Sequence, residues 1–159
     1  MVVTGLGIVS PLGYELKTFW DNLVAGQCGV DRITSFDASS FDTQIAAQVK
    51  DFNPAPAFPS PKEIRRTDRY SQFGVYAGWQ ALRDSGLDLR SVNLDEVGVF
   101  IGSGIGGLET VTEQHKVLLE RGPGRLSPFM IPMLISNMAL DYEQSKTVAI
   151  RFLRPKYGF

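Results

Sequence analysis

The segment SPKEIRRTDRYSQFGVYAGWQALRDSGL, residues 60–87, constrains the fold more than any other part of this chain. Ser60 suits an N-cap, Pro61 suits a first turn, and Glu63 stands three residues after the serine, as a capping box requires. The pattern predicts a helix that runs to Asp84 or Ser85 and stops at Gly86. Its second half, FGVYAGWQAL, is apolar or small on most faces. A helix with so little polar surface must be covered on more than one side, which calls for a layered domain.

The flanking text supplies the other layers. VVTGLGIVSPLG opens with a β-branched run and reads as a buried strand entering a turn. In ELKTFWDNLVAG the residues Leu16, Phe19, Trp20, Leu23 and Val24 share one helical face, with Gly26 as the stop. TQIAAQVKDF has room for a strand, and NPAPAFPSP reads as a rigid extended connector. Val97–Ile101 reads as a strand, followed by the turn GSGIGG, a helix from about Leu108 to Glu120, and the loop RGPGRLSP. Strands alternating with helices predict an α/β architecture. Residues 1–139 read as one consistent globular pattern. Residues 140–159 read as a divergent tail with one candidate strand, TVAIRF, and no element to cover it.

Length and charge exclude several classes. A chain of 159 residues can bury one core, and a net charge of −1 gives no bulk attraction to nucleic acid or anionic membrane. No apolar run reaches the length of a membrane span, and no signal-peptide pattern opens the chain. One cysteine, Cys28, excludes an intrachain disulfide, and one histidine, His115, leaves no convincing zinc set. The expected compartment is the cytoplasm, with no metal and no cofactor.

Gly102, Gly104 and Gly107 form a literal G-x-G-x-x-G after an apolar run. A dinucleotide site wants that turn in the first βαβ unit and an acid about 20 residues on. Here nearly a hundred residues precede the turn, and Glu109, Glu113 and Glu120 fall too early or inside the next helix. The other reading is a tight strand-to-helix turn or a close backbone approach. Cys28 follows a helix C-terminus, where the macrodipole disfavours a thiolate, and reads as a small loop or buried residue. His115 reads as a solvated helix residue. Lys62, Arg65, Arg66 and Arg69 fall at i, i+3, i+4 and i+7, on one face of the predicted helix. Two readings stand for that stripe: a solvated face paired with Asp68 or Glu63, or a docking patch for an acidic partner.

Taken in order, VVTGLGIVSPLG, FWDNLVAGQCGV, ITSFDASSF, IAAQVKDF, RRTDRYSQFGVYAGWQALRDSGL, VGVFIGSGIGGLET and GPGRLSPFMIPMLISNMA resemble one family. It is the β-ketoacyl-acyl-carrier-protein synthases, nearest to the type II elongating condensing enzymes, and the resemblance covers residues 1 to about 139. It implies the N-terminal half, incomplete, of a thiolase-like layered α/β fold. It also implies an acyl pocket lined by the GSGIGG turn, with Ile105 at the gating position. Phe129 matches a residue that a partner subunit contributes to the far end of that pocket. Lys62, Arg65 and Arg66 match positions that contact an acidic acyl carrier protein, and Arg125 matches part of a second basic contact. Gly124 stands where the family often has another base.

The family's chemistry uses a cysteine thiolate and two histidines to condense malonyl-carrier with an acyl thioester. Neither Cys28 nor His115 matches one of these positions. The resemblance therefore implies a truncated synthase that supplies pocket and docking surface, dimerises or pairs with a full-length synthase, and holds no catalytic residue. The alternative is a non-catalytic module that binds acyl carrier protein or a full-length synthase. Either way, apolar surface is expected to stand exposed.

Overall fold

The computed structural model describes residues 1–93 and 96–135. The predicted tail strand TVAIRF lies outside the described residues. The chain divides into two compact units, the first formed by Met1–Asn53 with Tyr76–Gly86, the second by Pro54–Val75 with Leu87–Phe159.

The first unit holds helix α1 (Leu16–Val24), the strands β1 (Val30–Arg32) and β2 (Ile45–Ala47), and the later part of helix α3 (Arg69–Asp84). β1 and β2 pair antiparallel, Val30 opposite Ala47 and Arg32 opposite Ile45. β2 lies in the predicted stretch; β1 has too little pattern to be read from three residues. Gly26 and Gly86, at φ +67° and +64°, end α1 and α3 in the left-handed region that favours glycine.

The N-terminal segment is extended but is not a ladder strand. It lies along α3 instead. A Cβ on Gly7 would stand 1.9 Å from the carbonyl oxygen of Ala77, and one on Gly5 2.2 Å from that of Ala81. The N–H of Leu6 donates to the Asp84 carboxylate at 2.9 Å, and the N–H of Ile8 donates to Gln80 Oε1 at 3.0 Å. Two extended residues advance about 6.6 Å and four helical residues about 6 Å, so i, i+2 on the segment meets i, i+4 on the helix. Helix side chains thus take the place of a neighbouring strand, and the glycines allow the close approach. The strand expected at the N-terminus is corrected accordingly.

The unit's core centres on Tyr76, buried among Tyr14, Phe52 and Trp79 at ring separations of 5.8, 5.2 and 5.4 Å. Its hydroxyl donates to Glu15 Oε1 at 2.7 Å. Burial, then the Glu15 carboxylate, pushes the Tyr76 phenol far above its usual range, so it remains the donor. The apolar face of α1 is another matter. No residue of that helix is buried, and Trp20, Leu23 and Val24 are exposed. Amphipathic spacing says which face needs cover; among the described residues this face has little.

In the second unit the predicted single helix over 61–84 is broken. α2 spans Pro61–Ile64 and α3 starts at Arg69. Ser60 caps α2 as expected, its side chain accepting from the N–H of Glu63 at 3.4 Å. The interruption has named causes. Thr67 Oγ1 donates back to the carbonyl of Ile64 at 2.9 Å, and the Gln72 amide donates to the carbonyls of Ile64 and Thr67, both at 3.1 Å. Asp68 then opens the next helix, Oδ1 accepting from the N–H of Tyr70 at 3.3 Å. Ser60→Ala should cost about 0.5–1 kcal/mol, the low end for a lost cap given the long bond, read from urea unfolding followed by circular dichroism.

The proline-rich connector is not extended throughout either. Ala55–Ala57 forms a 3-10 turn that buries Ala57, with Phe58 buried beside it. Helix α4 (Leu108–Arg121) and helix α5 (Met130–Leu134) belong to the same unit. The run 97–101 forms no ladder among the described residues; its burial alternates as a strand's would, and Phe100 is 94% exposed. A strand is defined by its neighbour, and the only ladder described is β1 with β2.

Candidate functional site

The pocket and docking residues that the resemblance implies all fall in the second unit. The glycine turn is closed by Ser103, whose Oγ accepts from the N–H of Gly106 at 3.0 Å, and Gly106 holds φ +82°. Ile105, between them in the turn, is 69% exposed. A Cβ on Gly102 or Gly104 would meet open space. Gly107 is different: a Cβ there would lie 2.4 Å from the carbonyl oxygen of Met133, 2.9 Å from Asp68 Oδ2 and 3.0 Å from Leu134 Cα. Its N–H donates to the carbonyl of Leu134 at 3.0 Å. Of the three glycines in the motif, one is required sterically, and it marks a close approach of α5.

The start of α4 is already capped by an anion. Asp68 is buried, and its Oδ2 accepts from the N–H of Thr110 at 3.0 Å and from Thr110 Oγ1 at 2.6 Å. A pyrophosphate would need those same first-turn donors, and the carboxylate occupies them. The dinucleotide reading fails on this contact. Sequence reasoning missed Asp68, treating it as a partner for nearby bases. The available signal was its type: aspartate ahead of an apolar helical run is a preferred N-cap.

The basic stripe also resolves differently. With the helix broken after Ile64, the four bases do not share one helical face. Lys62 and Arg65 are exposed. Arg66 is half-buried, its guanidinium carbon 4.5 Å from the ring centroid of Phe129. Arg69 belongs to α3 and lies over Phe73 at 5.0 Å. Arg66 and Phe129, assigned to docking and to the pocket, are thus brought together. Ser127 positions that ring: its Oγ accepts from the N–H of Phe129 at 3.2 Å, and its own N–H donates to Gln114 Oε1 on α4 at 2.7 Å. Arg125 is exposed in the 3-10 turn Pro123–Arg125, and a Cβ on neighbouring Gly124 would meet nothing.

His115 is exposed on α4, and Cys28 is exposed in the first unit, its Sγ 3.9 Å from the carbonyl of Val30. Among the described residues no group of three potential ligands could hold a metal ion, and no helix is long and apolar enough to cross a membrane.

The sequence family described as Beta-ketoacyl synthase, N-terminal domain, matches residues 1–140. The chain belongs to the β-ketoacyl synthases. Two relatives named 3-oxoacyl-(acyl-carrier-protein) synthase 2 align over 139 residues. The protein of Coxiella burnetii is 51% identical and that of a Synechocystis strain 48%, each match covering 87% of this chain and 33% of the relative. Among solved structures, the ishigamide ketosynthase/chain length factor superposes with a TM-score of 0.71 at 26% identity, over 87% of this chain and 34% of that one. The β-ketoacyl synthase described here therefore has the thiolase-like α/β fold of its N-terminal part and spans about a third of its relatives' length.

Proposed function

We propose that this chain is part of a type II β-ketoacyl-acyl-carrier-protein synthase of fatty-acid synthesis. The whole protein's reaction would be the decarboxylative condensation of malonyl-carrier with an acyl thioester. In this reading Ile105 and Phe129 are acyl-pocket elements, and Lys62, Arg65 and Arg125 receive the acidic carrier protein. Arg66 borders both. The name shared by relatives at 51% and 48% identity supports the reaction class. The observation that carries the docking role is the exposure of Lys62 and Arg65 on one short capped helix and the turn that follows it. The sole cysteine and sole histidine are both exposed and match no catalytic position of the family in this reading, which supports a binding rather than a condensing role for this chain's own residues.

Phe129 would act in a cytoplasmic homodimer, or in a pair with a full-length synthase. A second reading, a non-catalytic module that pairs with such a synthase or binds the carrier, draws support from the exposed apolar side chains of Val2, Val3, Trp20 and Phe100.

The test is calorimetric titration of the chain with holo acyl carrier protein. Saturable binding should weaken about tenfold when salt rises from about 50 to about 500 mM, because exposed charge pairs are screened. Absence of binding at low salt would remove the docking role.

A further inference from the structure

We propose that Asp68 is a positioning residue whose single buried carboxylate joins the basic segment and the glycine turn into one body. A carrier protein seated on Lys62 and Arg65 then orders the turn that carries Ile105. The inference deepens the docking role above and rests on it for its functional half.

The geometry is specific. Asp68 sits two residues after Arg66 and is 6% exposed. One carboxylate oxygen accepts from the second residue of α3, Tyr70, at 3.3 Å; the other accepts both the N–H and the hydroxyl of Thr110 in the first turn of α4. Two helices therefore share one cap, and α4 has no side-chain cap from its own preceding residue. The residue before α4 is Gly107, which has no side chain to offer and whose missing Cβ makes room for Asp68 Oδ2. Both helix starts direct a backbone N–H and a positive dipole end at the same carboxylate.

Three further ties run the same way. Gly107 is bonded to Leu134, the Tyr70 hydroxyl donates to the carbonyl of Ile135, and Arg66 covers Phe129. These contacts tie α5 and its flanks to the turn and to the basic segment, while Asp68 joins the basic segment to the start of α4. Thr110 is buried too, so water does not replace the bonds on that side. An ordinary N-cap would stabilise its own helix alone. A shared cap makes loosening at one helix start appear at the other.

Amide hydrogen exchange on the full chain, free and saturated with holo acyl carrier protein, separates these cases. Thr110→Val, nearly isosteric, removes only the hydroxyl donor on the turn side and guards against the misfolding that Asp68→Ala invites. In the free chain it should speed exchange about threefold to tenfold, the loss of one buried bond, at amides 105–111 and also at 68–72. Acceleration confined to 108–112 overturns the shared-cap proposal. In the wild-type chain, bound carrier should slow exchange at 103–107 as well as at 62–66, and Thr110→Val should abolish the first effect while leaving affinity within about twofold. Carrier binding without protection at 103–107 overturns the coupling to Ile105. A wild-type chain that binds no carrier sinks the docking role and with it the carrier-driven half, while the free-chain comparison still decides the shared cap.

Discussion

Gly107→Ala should destabilise the second unit by about 3 kcal/mol or prevent its folding, the upper range for forcing a methyl into filled space. The added carbon would meet a carbonyl oxygen at 2.4 Å and the Cα of Leu134 at 3.0 Å, both backbone atoms that cannot swing away. Relief requires α5 to move, which breaks the bond from Gly107 to Leu134, and the new methyl also presses at 2.9 Å on Asp68 Oδ2, which caps two helices. Gly104→Ala is the control. Its Cβ meets open space, so its cost should stay within about 0.5 kcal/mol. Urea unfolding of both variants by circular dichroism gives the comparison. Equal stability for the two would mean that α5 does not approach the turn as described.

Reversing the two exposed bases, Lys62→Glu with Arg65→Glu, should weaken carrier binding about thirtyfold or more. An exposed ion pair contributes up to about 1 kcal/mol, and replacing attraction by repulsion at two positions sums to about 2 kcal/mol. Arg66→Gln should change affinity less than about threefold, because that guanidinium is engaged over Phe129. Its effect belongs on the ring, read as a shift and broadening of the Phe129 resonances. Gly124→Lys, entering open space beside Arg125, should tighten binding about twofold to threefold at low salt. A loss at Arg66 as large as that of the double reversal would put Arg66 back among the docking residues.

Much of the local structure was legible. Ser60, Pro61 and Glu63 mark the start of α2, Gly26 and Gly86 mark helix ends, and the helix after the glycine turn begins at Leu108 as its pattern requires. These signals act within a turn of chain, so no distant contact is needed to read them. The break after Ile64 was hidden because Thr67 and Gln72 act through side-chain bonds that compete with a helix the apolar pattern allows. Lys62, Arg65 and Arg125 stand exposed, while the Arg66 guanidinium lies over the ring of Phe129, a contact between residues remote in sequence that no local pattern signals.

The sequence by itself determined the family, several helix starts and ends and the kinds of side chain available, since motif spacing and capping chemistry are local properties. Only the tertiary structure decided that GLG is a seat for the backbone of α3, that G-x-G-x-x-G contains one obligatory glycine, and that Asp68 caps two helices. The physical reason is the same in each case. A carboxylate, a glycine or an extended run leaves its partner unspecified until the folded chain brings distant atoms within hydrogen-bond or van der Waals range.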